Sequence, residues 1–348
     1  MDPEDVIFPY NATQLTEQVN RIPNLYGLLR AMGLFSEEGA ISTVIEIRYE
    51  DGILSVLPAK ERGAPAKPAD RETGKTLFFP VPHFPHSDLI KPADIQGILI
   101  MAGRTKRPNT LADELAKRLN NIRNNHAVTL EYVRMGALKG IIKDGEGNQI
   151  YDLYSEFGIE QVDVDFALGT NGTDIISKCD EVTDTIVTNL KGETSNGVEI
   201  QVDSVFFNAL IQHPNVSKYW TSNQLGVTQL VNMERQRLGG NWGRLFEFQN
   251  ILFRENKTTF PVKADGVATN EKALADKTGI AYPTGTQDTF KTWFAPADTI
   301  QTLNAPGDQV FISPEILEHG KGIDLWSESN PLALVKRPEV VVKVHSSN

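Results

Sequence analysis

Apolar side chains recur at helical spacing through residues 110–138, TLADELAKRLNNIRNNHAVTLEYVRMGAL, the strongest periodic signal in the chain. Leu111, Leu115, Leu119, Ile122, His126, Leu130, Val133 and Ala137 are separated by steps of four or three residues, close to the helical period. No proline interrupts the run. Pro108-Asn109-Thr110 supplies a start, and Asp113 and Glu114 suit the first turns. Such a helix would be roughly 43 Å long. There is no second helix of that length to form a coiled coil, so the pattern predicts a helix lying across a sheet with its apolar stripe in the core.

Residues 41–57, ISTVIEIRYEDGILSVL, are two β-rich runs around Asp51-Gly52, a dipeptide suited to a tight turn. The stretch 59–75 has almost no large apolar side chain, and an extended run, TLFFPVPHFPH, follows at 76–86. Pro80, Pro82 and Pro85 remove ladder donors and exclude a central strand there. Residues 41–86 therefore read as a long two-stranded excursion with a polar tip, too poor in apolar surface to fold alone. Residues 1–40 read as an arm with local helical turns. Its amphipathic stretch Asn20–Met32 carries Ile22, Leu25, Leu28 and Leu29, and Pro9 and Pro23 prevent one long helix.

Beyond the long helix, residues 140–158 read as a hairpin around Asp144–Asn148, and Gln161–Ala167 as a half-buried strand. A helix is expected at about 173–190, a strand near Glu199–Val202, a helix at Ser204–Gln212 ending before Pro214, and a strand-like run at Leu245–Asn256. The region 257–310 is rich in Gly, Pro, Thr and Ala. Two short strands close the chain at Leu332–Val335 and Val340–Val344. The fold class is α+β, with no internal repeat.

Composition narrows the function more by exclusion than by pointing. The 348 residues carry 34 Lys+Arg against 45 Asp+Glu, a net charge of −11, which argues against a sequence-wide affinity for phosphate backbones. An apolar fraction of 40% excludes disorder. The single cysteine, Cys179, excludes a disulfide framework and fits a reducing cytoplasm. Neither a secretory signal nor a membrane span is expected.

The search for reactive groups returns little. GxSxG, G-x4-GK[ST], GxGxxG and HExxH are all missing from the sequence. Gly239-Gly240-Asn241-Trp242-Gly243 lacks the Lys-Ser/Thr of a phosphate loop and reads as a plain loop. His83 and His86 lie in an extended Pro-rich segment with no helical face to share a metal. The Asp144–Asn148 turn lacks the twelve-residue calcium loop. The sequons at Asn11, Asn171, Asn215 and Asn256 read as chance matches. Asp163 and Asp165 alternate as solvated acids do, with a pair of catalytic carboxylates as the sharper alternative. Cys179 reads as a small buried hydrophobe. A long arm, a long loop, one long helix and no reactive constellation are marks of a self-assembling structural protein.

The C-terminal third gives this a family. Tyr282-Pro283-Thr284-Gly285 precedes FKTWFAPAD at Phe290–Asp298. Gly320-Lys321-Gly322-Ile323 leads into Glu328-Ser329-Asn330-Pro331-Leu332, and Arg337-Pro338-Glu339-Val340-Val341-Val342-Lys343-Val344 follows near the end. With LEYVRMGALKGIIKDGEGNQIYDLYSEFG at Leu130–Gly158, this order resembles the lambda-type major capsid proteins, the "major capsid protein E" family of tailed bacteriophages. The resemblance covers most of the chain from about residue 40.

It implies a Hong Kong 97-type capsid fold. Residues 1–40 would be the N-terminal arm, 41–88 the extended E-loop, and 89–167 the peripheral domain with a spine helix at about 110–138. Residues 168–312 would be the axial domain, and 313–348 would be C-terminal strands returning to the peripheral domain. It further implies hexamers and pentamers of this chain in an icosahedral shell around double-stranded DNA. Scaffolding and portal proteins would be partners, with a small decoration protein on the outside. The genome would be enclosed without sequence-specific binding and without any membrane. Assembly would take place in the host bacterial cytoplasm. Some capsids of this fold cross-link an E-loop lysine to an asparagine of another subunit. Lys60, Lys67 and Lys75, with Asn330 and Asn348, are the residues in such positions here, but no motif selects a pair. The lysines read as solvated or salt-bridging. No catalytic, cofactor-binding or metal-binding residue is expected. Two alternatives remain: an encapsulin-like bacterial compartment, and an enzyme using Asp163 and Asp165 with a distant histidine.

Overall fold

The computed structural model describes residues 10–21, 27–49, 75–97, 99–102, 105–222, 224–238, 243–264 and 267–348. The long helix runs Leu111–Lys139. Thr110 accepts from Asp113 N while the Asp113 carboxylate accepts from Thr110 N, a reciprocal cap that satisfies two otherwise orphaned donors. Gly140, at φ 85°, ends the helix in the left-handed conformation. Its first half buries a stripe through Leu115, Leu119, Ile122 and His126, whereas every residue from Leu130 to Leu138 is buried. A helix enclosed all round belongs in the middle of a fold.

Among the described residues three sheets have three or more strands. A mixed six-stranded sheet has the order Leu245–Phe248, Ile251–Glu255, Gly197–Val202, Thr278–Thr284, Val342–His345, Asp163–Asp165. A second sheet places Phe290–Phe294 between Ser36–Gly39 and Pro331–Val335, and the last of these packs on the long helix. In a third, Ile323–Ser329 lies between Phe311–Ile316 and Phe84–Ile90. The main core joins Val133, Leu138, Phe166, Ile186, Ile200, Phe206, Phe253 and Leu334 across these layers. A smaller core gathers Leu15, Val19, Leu115, Leu119, Ile122 and Ile312.

Several expectations change. The Leu245–Asn256 run is a hairpin, folded at Gln249 and Asn250, whose φ values of 50° and 58° make the two-residue turn that suits strand twist. Helices at Pro214–Ser222 and Gln224–Leu238 were not expected. The hairpin at 140–158 pairs only Ile141–Lys143 with Gln149–Asp152, and Leu153–Phe157 is a helical turn capped by Asp152. The closing strands part company. Pro331–Val335 lies against the long helix, but Val342–His345 joins the six-stranded sheet beside Thr278–Thr284 instead of returning with it. Over its described part the N-terminal segment packs on its own chain. Helix Ala12–Arg21 sinks Leu15 and Val19 into the smaller core, Leu28 and Leu29 are buried, and Ser36–Gly39 pairs in parallel with Phe290–Phe294. Ile22 and Leu25 lie outside the described residues.

The excursion begins as an antiparallel pair, Val44–Tyr49 with Lys75–Pro80, in register from Val44↔Pro80 to Tyr49↔Lys75. Ile45, Ile47, Leu77 and Phe79 face inward, and Phe79 packs on Phe157 and Tyr151. Val44, Glu46, Arg48 and Phe78 face out. The Asp51-Gly52 turn, Lys60, Lys67 and most of the polar stretch lie outside the described residues. Pro85 sits in Phe84–Ile90, an edge strand, where a missing donor costs least.

Candidate assembly surfaces and the groups that hold them

A seam of buried charge ties the N-terminal segment to the long helix. Glu131 accepts from Leu29 N at 2.6 Å, at the start of helix Leu28–Met32. Burial pushes its carboxyl above the ordinary range, while the amides of Leu28, Leu29 and Arg30 and the Arg134 charge oppose that shift. Gly27 stands against this carboxylate with φ 108°, and a Cβ there would come within 2.6 Å of Glu131 Oε2. Arg134, one turn on, donates to Thr292 Oγ1 at 3.1 Å and to Glu37 Oε1 at 2.7 Å. Arg123 donates to Gln309 Oε1 at 2.7 Å, and Gln309 donates in turn to Glu37. Burial, with Arg30 nearby, lowers Arg123 to about 10. Three chain segments far apart in sequence are thereby held in one register.

The base of the excursion is held by two further groups. Arg118 lies 2.9 Å from Asp88, 3.3 Å from Asp94 and 2.9 Å from Glu114, joining the end of the Phe84–Ile90 strand to the start of the long helix. His126 sits 3.1 Å from Ser327 Oγ. Because the Ser327 hydroxyl proton goes to His86 O at 2.8 Å, His126 Nε2 must be the donor to Ser327, which places a ring proton on Nε2. Burial, then His86 and Arg123, drives its pKa down to about 3.

The groups nominated from the sequence fall as follows. His83 Nδ1 lies 2.9 Å from Glu328 Oε1 and His86 lies beside Asn125, so the H-x-x-H pair is split between different partners. Asp163 and Asp165 do meet a distant histidine. His345 Nδ1 is 2.6 Å from Asp163 and its Nε2 3.9 Å from Asp165, with Lys343 2.7 Å from Asp163. They meet because strand 342–345 runs parallel to 163–165 at the sheet edge. All four side chains are partly exposed there, and the four described clefts are lined by other residues. Cys179 is buried on helix Ile175–Leu190, and burial pushes its thiol up to about 12. Asp144 closes its turn by accepting from Glu146 and Asn148 amides. Lys75 donates to Glu156 O at 3.1 Å. Asn330 is buried, with Nδ2 donating to Pro296 O and Glu328, and Asn348 is bound to Gly169 and Thr170. Gly243 is described with φ 97°, whereas 239–242 lie outside the described residues. The charged seam was not legible in advance. Glu131 and Arg134 sit between the stripe residues Leu130, Val133 and Ala137, and only their position among otherwise apolar neighbours could have marked them.

Among the described residues no helix is long and apolar enough to cross a membrane, and no group of three or more His, Cys, Asp or Glu is placed to hold a metal ion.

Comparison with known proteins agrees with this architecture. The family described as phage major capsid protein E matches residues 11–346. The major capsid protein of Pseudomonas phage KPP10 is 30% identical, with 96% of each chain covered. That of Salmonella phage Felix O1 is 28% identical, with 95% of each covered. Among solved structures, the protein assigned as the capsid protein of an E. coli CFT073 prophage has a TM-score of 0.62 at 15% identity, covering 97% of this chain and 99% of the other. The bacteriophage PhiM1 mature capsid has a TM-score of 0.50 at 11% identity, covering 94% and 89%. The fold is thus the α+β, Hong Kong 97-type fold of phage capsid subunits, and the chain belongs to the phage major capsid protein E family.

Proposed function

We propose that this chain is the wall subunit of a tailed phage's icosahedral shell, assembling as hexamers and pentamers around double-stranded DNA. One observation carries the reading beyond family membership. The excursion hairpin buries one face on its own chain and presents Val44 and Phe78 to solvent on the other. Large apolar side chains exposed on a two-stranded element, here beside Glu46 and Arg48, suit cover by a neighbour. In this reading residues 41–88 are the E-loop, 111–139 the spine helix of the peripheral domain, and the six-stranded sheet the centre of the axial domain. The chain acts without catalysis or cofactor. Scaffolding and portal proteins are its assembly partners in the host bacterial cytoplasm, and a decoration protein binds outside. A net charge of −11 suits a container that holds DNA without gripping it base by base.

Expression of the full chain with its scaffolding protein, followed by electron microscopy, tests this. Closed particles of uniform diameter are expected. A chain that stays monomeric at high concentration with scaffolding present would refute it.

A further inference from the structure

A cleft of about 530 Å³ opens between helix Ala12–Arg21 and the loop 295–308. Thr13, Glu17 and Asp308 stand exposed at its rim, and Glu328 and Asn330 are buried at its floor. The ladder between Phe311–Ile316 and Ile323–Ser329 brings these groups together, since Phe311 lies opposite Glu328. Just past that pair Ser329 Oγ donates to Gln309 O at 2.5 Å, and Asp308 and Asn330 are the next residues along the two segments.

Asn330 is held from three sides. Ala295 N donates to its backbone carbonyl at 3.0 Å, and its Nδ2 donates to Pro296 O at 3.0 Å and to Glu328 Oε1 at 2.6 Å. Both amide protons are spent, and Oδ1, on a side chain only 6% exposed, receives no hydrogen bond. A buried acceptor without a donor is costly, and a ligand that donates to it recovers that cost. Asp308 is the second unanswered group. Among the described residues it has no ion pair and no hydrogen bond, and burial, with nothing opposing, pushes its carboxyl up. The other carboxylates have partners: Glu17 lies 3.2 Å from Arg21, and Glu328 accepts from Asp298 N and faces His83. Two spare acceptors, one of them a carboxylate, call for a cation that carries N–H donors. The cleft is far larger than a bare ion, and among the described residues no group of three His, Cys, Asp or Glu is placed to hold a metal.

We propose that this cleft binds an alkylammonium group, whose N–H donors go to Asn330 Oδ1 and the Asp308 carboxylate. A primary ammonium suits the site because it carries three donors on one centre. Two sources supply that group: a free amine, and a lysine side chain of a second copy. The site belongs to the single subunit and stands apart from the shell reading. Its walls are already fixed by Asn330 and by Gly307, whose amide donates to Ala40 O at 2.9 Å, so little ordering is lost on binding.

Calorimetric titration of the full chain with putrescine tests the site. Tetramethylammonium, a cation without N–H donors, should bind at least about tenfold more weakly than putrescine. Asp308→Asn should keep the wild-type melting temperature and weaken putrescine binding at least about tenfold. Glu318→Gln removes the same charge from an exposed turn outside the cleft and should leave binding unchanged. Absence of putrescine binding, equal binding of the two cations, or an equal loss from Glu318→Gln would overturn the proposal, the last meaning general charge attraction only. Assembled particles separate the sources. Particles that still bind putrescine assign the site to a free amine, and particles that no longer do assign it to a side chain of the next copy. A chain that binds putrescine but forms no particles defeats the shell reading and upholds this site.

Discussion

The second half of the long helix and the strand pair Val44–Tyr49 with Lys75–Pro80 both carry large apolar side chains, but the chain completes them differently. From Leu130 to Leu138 the helix is covered on every side, and even its charges, Glu131 and Arg134, have partners from the N-terminal segment and the Phe290–Phe294 strand. The hairpin buries Ile45, Ile47, Leu77 and Phe79 and leaves Phe78 64% exposed. The first region is finished within the subunit. The second keeps Val44 and Phe78 exposed beside Glu46 and Arg48, and in the proposed shell another copy covers them. The lesson is a division of labour: buried polar contacts hold the body in register, and the apolar side chains exposed on the extended strands are those assigned to other copies in the proposed shell.

The sharpest way to break this division is Arg134→Ala. It leaves buried Glu131 without its neighbouring cation and the exposed Glu37 without its ion pair; truncation within a fully buried pair costs about 3–5 kcal/mol, so a loss of about 2–3 kcal/mol is expected here. Urea unfolding should show that loss; a change below about 1 kcal/mol would mean the seam does not hold the body together.

Acid should loosen the same body through His126. Its folded pKa, lowered by burial to about 3, lies below its unfolded value near 6.5. The unfolded chain therefore binds more protons between those values, and stability falls as pH drops through that window. The groups facing His126 are Ser327 and His86 from the neighbouring strands and Arg123 on its own helix, which offer its charged form no carboxylate. A loss on the order of a few kcal/mol by pH 3 is expected. The His126→Gln variant should flatten the slope; an unchanged slope would clear His126 as its source.

The smallest effect on the subunit alone should be Phe78→Ser, within about 0.5 kcal/mol because the ring is exposed. Its effect on assembly should be large, seen as a fall in closed particles by sedimentation.

The sequence made some elements plain and hid others for physical reasons. The long helix was legible because Thr110 and Asp113 cap it, Gly140 stops it, and its stripe is uninterrupted. Helix Ser204–Gln212 was legible between its Asp203 cap and Pro214. Pro214 then hid what followed: it opens helix Pro214–Ser222, where its missing amide proton is no loss. The hairpin at 245–255 turns on Gln249-Asn250, which carries no glycine to announce it. Helix Gln224–Leu238 has Leu238 as its buried apolar end and Met233 largely exposed, so it left no stripe to read. Among candidate groups, the separate fates of His83 and His86 followed from their extended segment. The meeting of His345 with Asp163 depended on a parallel strand pairing across some 180 residues, which no local pattern encodes.

The most direct test is a cryo-electron microscopy reconstruction of shells assembled from the full chain, at a resolution that shows side chains. The account predicts a closed icosahedral particle in which the long helix lies inside each subunit and the Phe78 ring is covered by a second copy. A closed particle with Phe78 facing solvent would contradict it.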